Sequence, residues 1–175
     1  MTNYTNPAVY VGTYAKYNNG SIQGSWLKLE DYADRDAFYA ACRKIHSDES
    51  DPELMFQDFE GFPKSYYSES DVSESLMEWV YLDLDDRAMM AAYQEATGYK
   101  DVTLEQVQDA FYGRYDRDLD FAIEFASDAV FNRMDPETLA IVDRFFDYES
   151  YLKDLTCGNF FIEYHDGEYW VFCNQ

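Results

Sequence analysis

The stretch YDRDLDFAIEFASD, residues 115–128, decides how the C-terminal half of the chain is read. Taken as one helix, it places Asp116, Asp120, Glu124 and Asp128 one every fourth residue, with Asp118 beside them. Leu119, Ile123, Ala126 and Val130 then form an apolar stripe at i, i+4, i+7 and i+11. Like charges at i,i+4 cost about 0.2–0.5 kcal/mol per pair on a helix surface, so this ladder works against folding. Such a pattern is either drift on a solvated face or serves something outside the fold.

Around this stretch the local signals are mixed. Upstream, Thr103 and Gln106 are spaced as a capping box for a helix running to about Tyr112. Downstream, DPETLAIVDRFF (135–146) has Pro136 at the first helical position after a capping Asp135, and DYESYLKDL continues in helix. NFFIEYHDGEYWVF (159–172) predicts a hairpin turning at Asp166-Gly167. Residues 72–98 show helical spacing at Leu76, Trp79 and Val80 and again at Met89, Ala92, Tyr93 and Ala96, which predicts two short helices stopping at Gly98. At the start, AVYVGTY (8–14) and SWLKL (25–29) predict a first hairpin, residues 34–46 a helix, and 53–63 a further strand. The Ser-rich KSYYSESDVSES (64–75) marks a boundary. The fold class is α+β, with no long repeat, heptad or low-complexity tract.

Charge is the anomaly. The 175 residues carry 35 acids against 13 bases, a net charge of -22, where solubility of a small domain asks for about 2–8. Disorder is argued against by 47% hydrophobic and 19% aromatic residues, since such side chains build cores. Direct binding of nucleic acid is disfavoured, because it needs Lys and Arg at the phosphates. The natural complement is a basic partner. Net charge is -5 over 1–61, -6 over 62–103 and -11 over 104–175, so the acidity is spread along the chain and densest at its end.

Chemistry has little to stand on. Asp116, Asp118 and Asp120 match the first ligand positions of an EF-hand, but Phe121 stands where the turn Gly belongs and Ser127 where the bidentate Glu belongs. Cys42 with His46, and His165 with Cys173, have the residue types of a zinc site without a CxxC or HExxH pattern. There is no nucleophile elbow or phosphate loop, and a carboxylate pair picked from 35 acids is uninformative. No enzyme, metal or cofactor is expected. The three cysteines are irregularly spaced, and the chain shows neither a signal-peptide pattern nor an apolar run near eighteen residues, so the cytoplasm is the expected location.

The acidic surface can be sized. Duplex DNA carries one charge per roughly 1.7 Å of axis, so 22 charges correspond to about 37 Å of duplex. One ladder is too sparse, at a charge every ~6 Å against ~3.4 Å per DNA strand, so several acid rows must combine. Glu69, Asp71, Glu74, Glu78, Asp83, Asp85, Asp86, Glu105 and Asp109 are available to do so.

Over essentially its whole length the sequence resembles the ArdA family of antirestriction proteins. The carrying stretches are VYVGTYAKYNNGSIQGSWLKL with its turn and Gly-x-Trp strand, DPELMFQDFEGFP, YGRYDRDLDFAIEFASD, RFFDYESYLKDL and the closing EYWVF. The resemblance implies an elongated chain of three small domains (1–62, 63–103 and 104–175), dimerising through the last. It implies that acid rows imitate bent B-form DNA and occupy the DNA cleft of type I restriction-modification enzymes, protecting incoming mobile-element DNA. Carried over by position, the mimic surface comprises Glu69, Asp71, Glu74, Glu78, Asp83, Asp85, Asp86, Glu105, Asp109, Asp116, Asp118, Asp120, Glu124 and Asp128. Phe145, Phe146, Tyr148 and Tyr151 are expected in core or dimer contacts. Arg114 and Arg117 depart from the acidic pattern and dilute the ladder. The alternative reading is an acidic adaptor, or chaperone-like module, for another basic DNA-binding protein.

Overall fold

A computed structural model describes residues 4–174. The architecture is mixed α+β, and contacts divide the chain into two compact units, one up to Ala91 and the other from Ala92 onward.

The first unit is built on an antiparallel sheet in the order β2-β1-β3, with β1 at Ala8–Thr13, β2 at Ser25–Lys28 and β3 at Leu54–Glu60. The expected hairpin is present, with a one-turn helix α1 (Tyr14–Asn18) inserted in its connection. Gly24 is obligatory there, because a Cβ would stand 2.3 Å from the Val11 carbonyl oxygen. Helix α2 (Arg35–Ile45), capped by Asp34 through the Ala37 N–H, buries Phe38 and Cys42, four residues apart, as its core face. Phe38 packs against Phe56 of β3. The Ser-rich stretch does not hang free: the Phe56 N–H donates to the Glu69 carbonyl and the Tyr67 hydroxyl to the Phe56 carbonyl, so it covers the outer edge of β3.

Helix α3 (Glu74–Val80) starts at a Ser73 cap and buries Leu76, Met77, Trp79 and Val80. Helix α4 (Leu84–Thr97) ends at Gly98, whose φ of +75° is the left-handed turn expected of a helix stop. Arg87, 5% exposed, is the polar anchor of this unit: it donates to the Tyr4 carbonyl (2.9 Å), to Glu30 (2.9 Å) and to the Val80 carbonyl, and lies over the Trp79 ring.

The second unit has a sheet in the order β4-β6-β5, with β4 at Phe111–Tyr115, β5 at Phe160–His165 and β6 at Glu168–Cys173. Asp166 (φ +54°) and Gly167 (φ +102°) form the two-residue turn between β5 and β6, as their sequence predicts. Helix α5 (Leu104–Ala110) carries the full Thr103/Gln106 capping box. It stops two residues before the expected Tyr112, because the alternating aromatics of FYGRY enter the sheet, Tyr115 opposite Tyr169.

That strand overturns the single helix expected at 115–128. Tyr115 belongs to β4, helix α6 runs only from Asp118 to Ala126, and Ser127–Phe131 is a π-helical turn. The buried face of α6 is Phe121, Ala122 and Ala126, with Phe125 beside them, rather than the stripe through Leu119, Ile123 and Val130. Ile123 is 39% exposed. The aromatic pair wins because Phe121 meets the rings of Tyr112, Tyr115, Phe125 and Phe160 at 5.0–5.7 Å. Leu155 of α8 (Tyr148–Thr156) and Val171 complete this core.

Helix α7 (Pro136–Val142) starts on Asp135 as sequence predicts, and α8 starts on Asp147. The Thr138 hydroxyl, aided by backbone N–H groups, holds the Asp135 carboxyl below its usual range; the Ser150 N–H and hydroxyl do the same for Asp147. A folded-state pKa below the unfolded one gives stability that is present above about pH 4 and is lost as pH falls through the folded value. In urea unfolding between pH 5 and 3, the wild type is therefore expected to lose stability more steeply than Asp135→Asn/Asp147→Asn, whose amides still cap. Parallel curves would contradict this.

Candidate acidic binding surface

In the first unit the acids expected at the surface divide by what they touch. Glu74 and Glu78 lie at i,i+4 on the exposed face of α3, opposite its buried side. Asp85 and Asp86 stand in the first turn of α4, and Asp83 accepts the Asp86 N–H at 2.9 Å. Glu69 accepts the Tyr14 hydroxyl (2.9 Å), a bond that raises the phenol's pKa. Asp71 is half-buried and held by Arg35 (2.6 Å) and the Tyr39 hydroxyl (2.9 Å), so its charge is matched within the fold.

In the second unit Glu105 and Asp109 form another exposed i,i+4 pair on α5, opposite buried Val107 and Ala110. Half-buried Asp120 and exposed Glu124 repeat the spacing on α6. Here the fold intervenes: Arg117 clasps Asp120 through both its Nε (3.0 Å) and an Nη, holding the Asp120 carboxyl below its usual range. The Tyr115 hydroxyl donates to Glu124 at 3.0 Å; burial, then this bond, push the phenol's pKa well above the usual range. Asp116 is exposed between β4 and α6, Asp118 accepts the Leu119 N–H, and Asp128 is exposed in the π-helical turn. The ladder is thus three separate pieces of backbone. Arg114 does not dilute it, since on β4 it faces Glu168 (3.8 Å) and lies over Trp170; Arg117 does.

The charge order that the helix dipole favours, which the sequence shows at residues 34–46, recurs along the chain and helps so acidic a protein to fold. First-turn acids recur at Asp36, Glu74, Asp85, Asp86, Glu105, Asp118, Asp120, Glu137 and Glu149. At a helix N-terminus each such charge stabilises by about 0.3–1 kcal/mol, which offsets the i,i+4 repulsion. Asp36, Glu137 and Glu149 were legible by that rule and belong to the same exposed set.

The candidate metal residues are otherwise engaged. Burial pushes the Cys42 thiol up to about 12. His46, 1% exposed, receives the Lys16 ammonium at Nδ1 (3.0 Å), so its Nε2–H donates to the Val11 carbonyl (3.1 Å). The atoms of His46, Asp48 and Glu49 lie within 4.8 Å of one another, as a metal would need. Lys16 fills that space, 2.9 Å from Asp48 and 3.5 Å from Glu49. His165 lies 3.0 Å from Glu95. Asp118 and Asp120 both lie in the first turn of a helix, not in a calcium loop.

The tail aromatics separate cleanly. Phe146, Tyr148 and Tyr151 are half-buried, Phe146 packing on Phe131 (5.0 Å), Tyr148 (4.9 Å) and Tyr151 (5.2 Å). Phe145 is 84% exposed and Ile141 is 63% exposed.

No helix among the described residues is long and apolar enough to cross a membrane. No curated protein matches the chain in a sequence comparison. The family model described as "Antirestriction protein (ArdA)" matches residues 9–169, a span that includes every acid discussed above. The chain therefore belongs to the ArdA family of antirestriction proteins.

Proposed function

We propose that this chain is a non-enzymatic mimic of B-form DNA that competes for the DNA-binding cleft formed by the methyltransferase and specificity subunits of type I restriction-modification enzymes. It needs no cofactor, acts in the cytoplasm, and protects incoming mobile-element DNA from cleavage. The observation that carries this reading is the repeated exposed carboxylate pair, Glu74/Glu78 and Glu105/Asp109, on helices whose opposite faces are core, with exposed Asp116, Glu124 and Asp128 adding to it at and around α6. Such pairs set charges ~6 Å apart along an axis, and their number supplies the several rows that a phosphate imitation requires. The three-domain layout, with divisions near 62/63 and 103/104, belongs to this proposal.

Displacement of fluorescent DNA from a type I methyltransferase, read by anisotropy, tests it. Complete displacement at near-stoichiometric protein is expected. An acidic adaptor would instead bind a panel of DNA-binding proteins in order of their basicity, without preference for those that wrap DNA, and that ranking would overturn the mimic reading.

The proposed active form is a homodimer, which doubles the length of the imitation. Exposed Ile141 and Phe145 suit a self-contact better than solvent. Ile141→Asp/Phe145→Asp is expected to give a monomer in sedimentation, with the aromatic cluster behind Phe145 still folded. Unchanged sedimentation would move the interface elsewhere.

A further inference from the structure

Beside the acid pairs the second unit has a concave feature of different chemistry. A hollow of about 490 Å³ opens between α8 and the β5-β6 hairpin, lined by Leu152, Ile162, Tyr164, Tyr169 and the acids Asp118, Glu149 and Glu163. Tyr164 and Tyr169 are cross-strand partners whose rings stand 4.9 Å apart at 54°. Tyr164 is 59% exposed, so an aromatic wall faces solvent. Lys153 and Thr156 also line the hollow, and Lys153 pairs with none of these carboxylates among the described residues. Glu149 stands in the first turn of α8, and Asp118, in the first turn of α6, accepts the Leu119 N–H.

Flat aromatic faces attract a cation, and carboxylates at the rim of such a wall accept its N–H groups. A guanidinium meets both demands, because it is planar, weakly hydrated and forked, whereas an ammonium is a compact, strongly hydrated charge. The surrounding unit is acidic, so a positive side chain is drawn toward it. We propose that this hollow seats an arginine side chain of the partner protein, stacked on Tyr164 and Tyr169 and held by Asp118 and Glu149. The inference rests on the function proposed above and names one partner group that the mimic would bind by shape as well as by charge.

Arginine amide, titrated into the full-length protein and followed by amide chemical shifts, is the direct probe. Saturable shifts confined to Thr156, Ile162, Tyr164 and Tyr169 are expected, with lysine amide binding several-fold more weakly. Tyr164→Ala should weaken arginine amide by roughly 2- to 10-fold, Tyr164→Phe should restore it, and Lys153→Met should strengthen it. Tyr164→Ala should also inhibit a type I enzyme less well than wild type. Shifts scattered evenly over the acidic surface, or equal binding of lysine amide, would overturn the seat. Local binding with unchanged inhibition by Tyr164→Ala would overturn its use by the partner. If wild type inhibits no type I enzyme, the functional reading fails, while the arginine amide titration still decides the pocket.

Discussion

Exchanging Glu78, Glu105, Asp109, Asp116 and Asp128 for their amides is expected to raise, by at least about fivefold, the amount of protein needed to halve cleavage by a type I enzyme. These carboxylates are exposed and hold no ion pair among the described residues, so their charge is available to a partner. Losing each exposed ion pair costs about 0.2–1 kcal/mol, roughly 1–5 kcal/mol for the set, against 1.4 kcal/mol for a factor of ten. Thermal stability should change little, since the i,i+4 repulsion between Glu105 and Asp109 that is relieved is offset by the first-turn stabilisation that Glu105 gives up. A second set, Asp71→Asn with Asp120→Asn, serves as the contrast. Those carboxylates are matched by Arg35 and Arg117, so their loss should cost stability and leave inhibition closer to wild type. Equal loss of inhibition from both sets would show that internal pairing does not decide which charges a partner sees.

Phe121→Ala is expected to destabilise the second unit by about 3–5 kcal/mol, the cost of emptying a well-packed aromatic site. Phe121 is fully buried at the centre of a ring cluster that joins α6 to β4 and β5. Phe121→Leu, which keeps most of the volume, should cost much less. Urea unfolding followed by near-ultraviolet circular dichroism reads both, and a loss below about 1 kcal/mol in the alanine variant would contradict the packing described. The acids at 116–128 depend on this ring, because Phe121 fixes which way α6 faces.

What could be read from sequence was local. The Thr103/Gln106 box, Asp135-Pro136, Gly98 and the Asp166-Gly167 turn each depend on residues within four positions of one another, and each lies where the sequence predicts. FYGRY was illegible as a strand because its partner, β6, lies more than fifty residues away, and a preceding helix pattern runs straight into it. Missing that strand carried the supposed helix back to Tyr115 and turned the apolar stripe onto the wrong face. Exposure of the acids was legible, since charged residues avoid burial. Their pairing was not: Arg35 reaches Asp71, and Arg87 reaches Glu30, across 36 and 57 positions. Arg117 with Asp120, three residues apart, lay within reach of a local rule.

The ladder that seemed to oppose folding is therefore reconciled in two ways. Arg117 and Tyr115 take part of its charge, and first-turn positions make acids favourable there and in the other helices. The exposed remainder is what a partner would meet.

The measurement that bears most directly on DNA mimicry is cleavage of unmodified DNA by a purified type I restriction enzyme, with the wild-type protein titrated in at two salt concentrations. Imitation of phosphates predicts near-stoichiometric inhibition that weakens as salt rises, because a cleft full of Lys and Arg releases its counterions to the mimic as it would to DNA. Full cleavage in the presence of a large molar excess of protein would contradict it.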